Sequence, residues 1–225
     1  MAFMTNPKFN SVITHFKEVA DENKAEKMAS YMRNHFVFFG IPTPMRRACY
    51  KELLKQDKKS KEIDWHFLDV CWEDEHRECQ YLVVDYLTTM KSFLVFEDIS
   101  KIETYVRSKQ WWDSIDGLDK IIGHIGLTDK RVDKLMLKWS QDKDFWLRRL
   151  AIDHQLGRKE KTNVQLLENI VVVNFGNQEF FINKAIGWAL REFSKTNPEW
   201  VRHFLEKYKN QLSPLSYREA SKYIG

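Results

Sequence analysis

The stretch Ser108-Lys-Gln-Trp-Trp-Asp-Ser-Ile-Asp116 gathers the residue types best suited to chemistry in this chain. Trp112 and Asp116 are four residues apart, so on a helix they share a face, while Trp111 points about a quarter-turn away. A carboxylate beside an indole on a basic surface is costly unless it is used, because the acid forfeits attraction for phosphates and the indole leaves apolar area exposed. Downstream, Lys184-Ala-Ile-Gly-Trp188 places a second tryptophan one turn beyond a basic residue, and Arg191 continues that face. Phe145-Trp-Leu-Arg-Arg149 lies between the two. No single tryptophan argues for a site, because most pack in cores. Trp65, Trp72, Trp139 and Trp200 need no other explanation, and Trp111 is expected to pack inward, leaving Trp112 to face outward.

These side chains need elements to hold them. Nearly every segment carries an apolar period of 3.6 residues, such as Phe9, Val12, Ile13 and Phe16. Breaks fall at Gly40–Pro44, Gln56–Lys61, Gly126–Asp129, Gln141–Asp144, Gly157–Asn163, Gly176–Gln178, Thr196–Pro198 and Ser213–Pro214. Several breaks offer helix caps: Thr128, Asp144, Asn197 before Pro198, and Ser213 before Pro214. The expectation is an all-α chain of roughly a dozen helices of about 10–17 residues. The β-branched run Val171–Val173 is read as buried helix, since no alternation of period two persists.

A longer period organises these helices. Arg46, Gln80, Asp116, Arg149, Lys184 and Arg218 recur at nearly even intervals, and each lies one turn into a helix after a break. A two-helix unit repeated every ~34 residues is the mark of an α-solenoid. The expectation is therefore a single repeat domain over 1–225, of about six repeats, with the second helix of each pair lining a concave groove. On that arrangement the six positions form one stripe, supported by Arg47, Arg148, Arg191 and Lys222, and suited to a phosphate backbone. Asp116 is the one acid in the row.

Composition sets bounds. The 225 residues carry 36 Lys and Arg against 32 Asp and Glu, a net charge of +4 that permits a nucleic-acid partner without demanding one. Eight Gly and five Pro suit a helix-rich chain. No apolar run approaches the length of a membrane span and the N-terminal stretch has no secretion-signal core, so neither membrane nor export is expected. Cys49, Cys71 and Cys79 lack metal-ligand spacing and read as reduced, mostly buried thiols. The seven histidines form no HExxH pattern and there is no phosphate-binding glycine loop, so no metal and no cofactor is expected.

Four segments together resemble the AlkD-type DNA alkylation repair glycosylases. They are Trp-Trp-Asp-Ser-Ile-Asp ending at Asp116, Trp-Leu-Arg-Arg ending at Arg149, and Phe-Phe-Ile-Asn-Lys-Ala-Ile-Gly-Trp-Ala-Leu-Arg-Glu from Phe180 with Lys-Thr-Asn-Pro after it. The fourth is Lys24 to Phe36, followed by Gly40-Ile-Pro-Thr-Pro-Met-Arg-Arg47. The resemblance runs from about residue 8 to the end. It implies a HEAT-like repeat solenoid that wraps duplex DNA in a concave groove, with Asp116 as the catalytic carboxylate and Trp112 and Trp188 as its aromatic flanks. Arg149 would contact DNA near the lesion, Tyr31 would probe the duplex, and Thr43 and Arg47 would hold the backbone. Arg148, Lys184, Arg191 and Arg218 join the DNA-binding set from the stripe.

The implied activity is hydrolysis of cationic N3- and N7-alkylated purines from double-stranded DNA. The enzyme would be monofunctional, since no lysine is implied as a nucleophile, and the resemblance implies that it reads the lesion without a base-flipping pocket. A monomer is the simplest form for a groove-forming solenoid, and the substrate implies a cytoplasmic, nucleoid-associated protein. Two other readings stand beside it: a HEAT-repeat binder of DNA structure without catalysis, and a protein–protein scaffold. Joint retention of Tyr31, Trp112, Asp116, Arg149 and Trp188 argues against the binder, and steep salt dependence of DNA affinity would argue against the scaffold.

Overall fold

Three of the first five helices start at a capping side chain. In a computed structural model that describes residues 6–224, the Asn6 side chain accepts from the Phe9 amide at 3.2 Å to open α1 (Pro7–Glu18). Asp21 caps α2 (Glu22–Tyr31), and Asp64 caps α4 (Trp65–Glu73) in the same way. Between them runs α3 (Thr43–Ser60), and α5 (Arg77–Met90) closes the set. Helix α3 packs on α1 and α5, and α4 packs on the same two helices, around the buried side chains of Phe16, Tyr50, Phe67, Trp72 and Tyr86.

These five helices make the first of two compact units, which ends at Phe93. The chain's entry into α3 is fixed from within this unit. The buried Glu78 carboxylate accepts from the amides of Phe39, Gly40 and Ile41 at 3.1, 2.9 and 3.1 Å. Gly40 stands at φ +81°, and a Cβ there would sit 2.0 Å from the Asp21 carbonyl oxygen, so only glycine fits. That loop sets the direction of Thr43 and Arg47.

The second unit begins at Leu94. It comprises α6 (Ile99–Val106), α7 (Trp112–Ile125), α8 (Arg131–Trp139), α9 (Phe145–Asp153), α10 (Val164–Val172), α11 (Phe180–Ser194), α12 (Pro198–Lys207) and α13 (Pro214–Ala220). Helices α7, α9, α11 and α13 pack side by side in chain order, while α6, α8, α10 and α12 form a second layer against them. Asp144, Asn197 and Ser213 cap α9, α12 and α13 as expected. Thr128 does not cap: α8 starts at Arg131, where the Asp129 side chain takes the Arg131 amide at 2.9 Å. Val173 also departs from expectation, since α10 stops at Val172 and leaves it exposed.

The six periodic positions fall on α3, α5, α7, α9, α11 and α13, each as the fourth or fifth residue of its helix. The tandem two-helix repeat is thus real, and the described residues contain no strand, only one isolated bridge between Val37 and His76. The stripe reading needs correction. Arg46, Gln80 and Arg149 are buried between helices, because each meets a specific partner there. Arg46 donates to Tyr50 and Asp85, Gln80 to the carbonyls of Trp72 and Asp74, and Arg149 to Asp116. Among the described residues no helix is long and apolar enough to cross a membrane.

Candidate active site

Helix α7 begins where an aromatic cluster anchors it. The extended residue Trp111 sets its ring 5.8 Å from Trp146 of α9 and 5.3 Å from Phe181 of α11, and Trp146 and Phe181 lie 4.8 Å apart. Three helix starts are thereby tied together by offset and edge contacts that together stabilise the joint by a few kcal/mol. Trp111 packs inward as expected, although it precedes the helix in extended backbone, so these ring contacts and not a helical offset set its direction. Trp112 is the first residue of α7 and half-buried, and Asp116 follows one turn later on the same face.

The Asp116 carboxylate is held by Arg149 of α9. Arg149 Nε donates to Oδ1 and Nη2 to Oδ2, both at 2.9 Å, and Nη1 donates to the Phe181 carbonyl at 2.8 Å. The guanidinium carbon lies 6.0 Å from the Trp188 ring of α11 and 5.9 Å from that of Phe181. The aspartate, the arginine and the second tryptophan thus meet across three successive helices. Arg149 is 3% exposed, whereas the Asp116 side chain keeps 15% of its surface open. Burial pushes the Asp116 carboxyl above the usual carboxylate range while Arg149 pulls it back. Both of its oxygens accept N–H bonds from a cation, a pattern that belongs to the ionised form.

Behind this pair lie two more acids, Asp119 on α7 and Asp153 on α9, both fully buried. One oxygen of each of the three carboxylates comes within 4.8 Å of the others. Burial drives Asp119 well above the carboxylate range and Asp153 up to about 8. The helices carrying them meet at Gly123, where a Cβ would stand 2.0 Å from the His154 carbonyl oxygen.

With that geometry in view, the profile of the DNA alkylation repair enzyme family matches residues 12–224. The chain belongs to this family. A solved structure described as a predicted DNA alkylation repair enzyme from Enterococcus faecalis is 36% identical, with TM-score 0.84, over 92% of this chain and 97% of that one. AlkD2 from Streptococcus mutans shares the fold at 16% identity and TM-score 0.59, over 78% of this chain and 90% of that one. The structure named smu.31 from Streptococcus mutans UA159 does so at 16% and 0.57, over 80% and 98%. Among curated proteins nothing matches.

In this alkylation repair family member the remaining expected residues are placed as follows. Tyr31 ends α2 and is 72% exposed, Thr43 opens α3 on the surface, and exposed Arg47 is forked onto Asp85 at 3.0 and 2.8 Å. All three belong to the first unit. In the second, Arg148 is half-buried with its Nε making no hydrogen bond, and Arg218 is exposed. Lys184 and Arg191 both reach Glu219, at 3.0 and 2.7 Å, so their charge is partly matched already. Hydrogen bonds from Lys222 and Lys184 pull the Glu219 carboxyl down to about 2. The expected role of Arg149 as a DNA contact meets a buried guanidinium whose hydrogen bonds go to Asp116 and Phe181.

Sequence reading missed Asp119, Asp153 and Glu219. A signal for the first two was present: Asp85, Asp119 and Asp153 are equally spaced in the chain, at the repeat period itself. Glu219 had no comparable signature.

Proposed function

We propose that this protein is a monofunctional DNA glycosylase that hydrolyses the N-glycosidic bond of cationic N3- and N7-alkylated purines in duplex DNA, the first step of base excision repair. One observation carries the reading: a partly open carboxylate, Asp116, has both oxygens bound by the Arg149 guanidinium, with Trp112 one turn before it and Trp188 beside the guanidinium. Family membership supports the substrate class.

The chemistry follows from the residue types. An alkylated purine is already cationic, so it departs as a neutral base without a general acid. The sugar left behind carries oxocarbenium character, which a carboxylate stabilises while orienting water toward the anomeric carbon. Each indole face adds roughly 0.5–2 kcal/mol of cation–π stabilisation. Arg149 acts as a positioning residue, fixing the plane and charge of Asp116. Exposed Tyr31, Thr43 and Arg218, with Arg47, Arg148, Lys184 and Arg191, are proposed to meet the DNA, and the enzyme to work as a monomer in the cytoplasm.

The test is release of 7-methylguanine or 3-methyladenine from alkylated duplex DNA by purified protein. Asp116→Asn keeps the shape and removes the charge, and is expected to lower the single-turnover rate by about 10²–10³-fold with DNA affinity nearly unchanged. If the wild type frees no base where a control glycosylase does, the assignment falls. Tight binding to undamaged or branched DNA with no base release would instead identify a non-catalytic binder.

A further inference from the structure

Asp119 lies three residues after Asp116 on α7, and Asp153 four residues after Arg149 on α9. Both side chains are out of reach of solvent, and none of their four oxygens makes a hydrogen bond. Asp153 Oδ2 is 3.7 Å from Arg149 Nη2, whose N–H groups are directed to Asp116. Three carboxylates therefore surround one guanidinium. Full ionisation would leave two buried negative charges without a counter-charge, which a protein interior does not tolerate.

The neighbouring helices bring no relief. From α7 the facing charges are Asp113, Asp116 and exposed Lys120, and from α9 Arg149. His154, just past the end of α9, turns Nδ1 to the Ala151 carbonyl, and burial keeps it uncharged, with its pKa lowered to about 3. On the other packed helices, Glu103 of α6 pairs with Arg107, Asp133 of α8 bonds Asn163, Glu168 of α10 pairs with Lys207, and Lys184 of α11 pairs with Glu219.

We propose that Asp119 and Asp153 are positioning residues that work as uncharged acids, leaving the whole Arg149 guanidinium to Asp116. If Asp153 ionised, it would compete for Nη2 one turn along α9, and the fork on Asp116 would open. The reading rests on Asp116 as the cation-stabilising carboxylate. It adds a prediction that a structural ion pair or a metal ligand would not make, namely that removing these acids makes the protein more stable.

The sign follows from linkage. An acid whose folded pKa is raised takes up a proton on folding, so its presence favours the fold most below its unfolded pKa, near 4, and that support is lost as pH rises toward the folded value. For Asp153 the window runs from about 4 to about 8. Asparagine mimics the neutral acid and needs no proton. We therefore expect full-length Asp153→Asn, and the double variant with Asp119→Asn, to melt higher than wild type at pH 8, by roughly 5 °C or more. The difference should narrow steadily toward pH 4.5. Excision rates, each normalised to its own value at pH 6.5, should fall above about pH 8 in wild type and hold in the variants.

Lower melting of the variants at pH 8 would overturn the proposal, as would identical alkaline profiles of excision. So would a stoichiometric divalent cation in the purified wild type whose removal by chelator lowers its melting point. The melting arm needs no substrate. Wild type without base release but with the expected melting pattern would sink the glycosylase reading alone and leave the neutral-acid arrangement supported.

Discussion

Arg149→Ala should lose about 3–5 kcal/mol of folding stability and base excision with it, because the change removes the buried cation set among three carboxylates. The guanidinium makes two bonds to Asp116 and one to the Phe181 carbonyl, so its loss leaves Phe181 without that donor as well as Asp116 without its counter-charge. Urea denaturation at pH 7.5 measures the stability, and the loss should shrink at pH 5, where Asp116 without its counter-charge can take a proton, as Asp119 and Asp153 already have. Arg149→Lys is expected to recover only part of it, since an ammonium cannot bridge both Asp116 oxygens and reach α11. A variant that unfolds at the wild-type denaturant midpoint would mean that the guanidinium does not neutralise this cluster.

Activity should fall in the same variant for a separate reason. Burial pushes the Asp116 carboxyl upward and Arg149 holds it down, so without the arginine its charged form is disfavoured at neutral pH. Since a carboxyl without its charge cannot stabilise a sugar cation, Arg149→Ala and Asp116→Asn should have non-additive effects on the excision rate. Additive losses would place Arg149 on the DNA instead of on Asp116.

Why these features were unevenly visible in the sequence is a matter of what a period can encode. The repeat interval located α3, α5, α7, α9, α11 and α13 and put Arg46, Gln80, Asp116, Arg149, Lys184 and Arg218 at equivalent places, because every repeat is the same helical hairpin. An interval fixes equivalence and says nothing about direction. Arg46, Gln80 and Arg149 look like solvent or phosphate contacts until the acids and carbonyls opposite them are known, and those partners sit on neighbouring helices. Trp111 does turn inward, but not for the helical offset read from the sequence: it precedes α7 in extended backbone, and Trp146 and Phe181 hold its ring. The Thr128 cap failed because two adjacent residues competed, and the Asp129 carboxylate reaches both the amide and the guanidinium of Arg131.

Gly123→Ala is expected to cost about 3 kcal/mol, at the upper end of what overpacking usually costs. The added methyl would stand 2.0 Å from the His154 carbonyl oxygen, an atom of the backbone just past the end of α9, so no side chain can swing aside. The Gly123 carbonyl is itself bound by Arg158 Nη2 at 2.6 Å, which holds the two segments together from the same side. Helices α7 and α9 must therefore separate by about 1 Å or more to restore an ordinary contact. Gly123 lies one turn beyond Asp119, so that separation reaches the Asp119–Asp153 pair and stretches the two 2.9 Å bonds between Arg149 and Asp116. A displacement of that size at a reacting group can lower a rate by ~10²-fold. The variant should thus melt lower and excise more slowly, although the atoms nearest the added methyl all belong to the His154 backbone. A wild-type melting curve would show that α7 and α9 do not meet at this glycine, and the placement of Asp119 against Asp153 would fall with that contact.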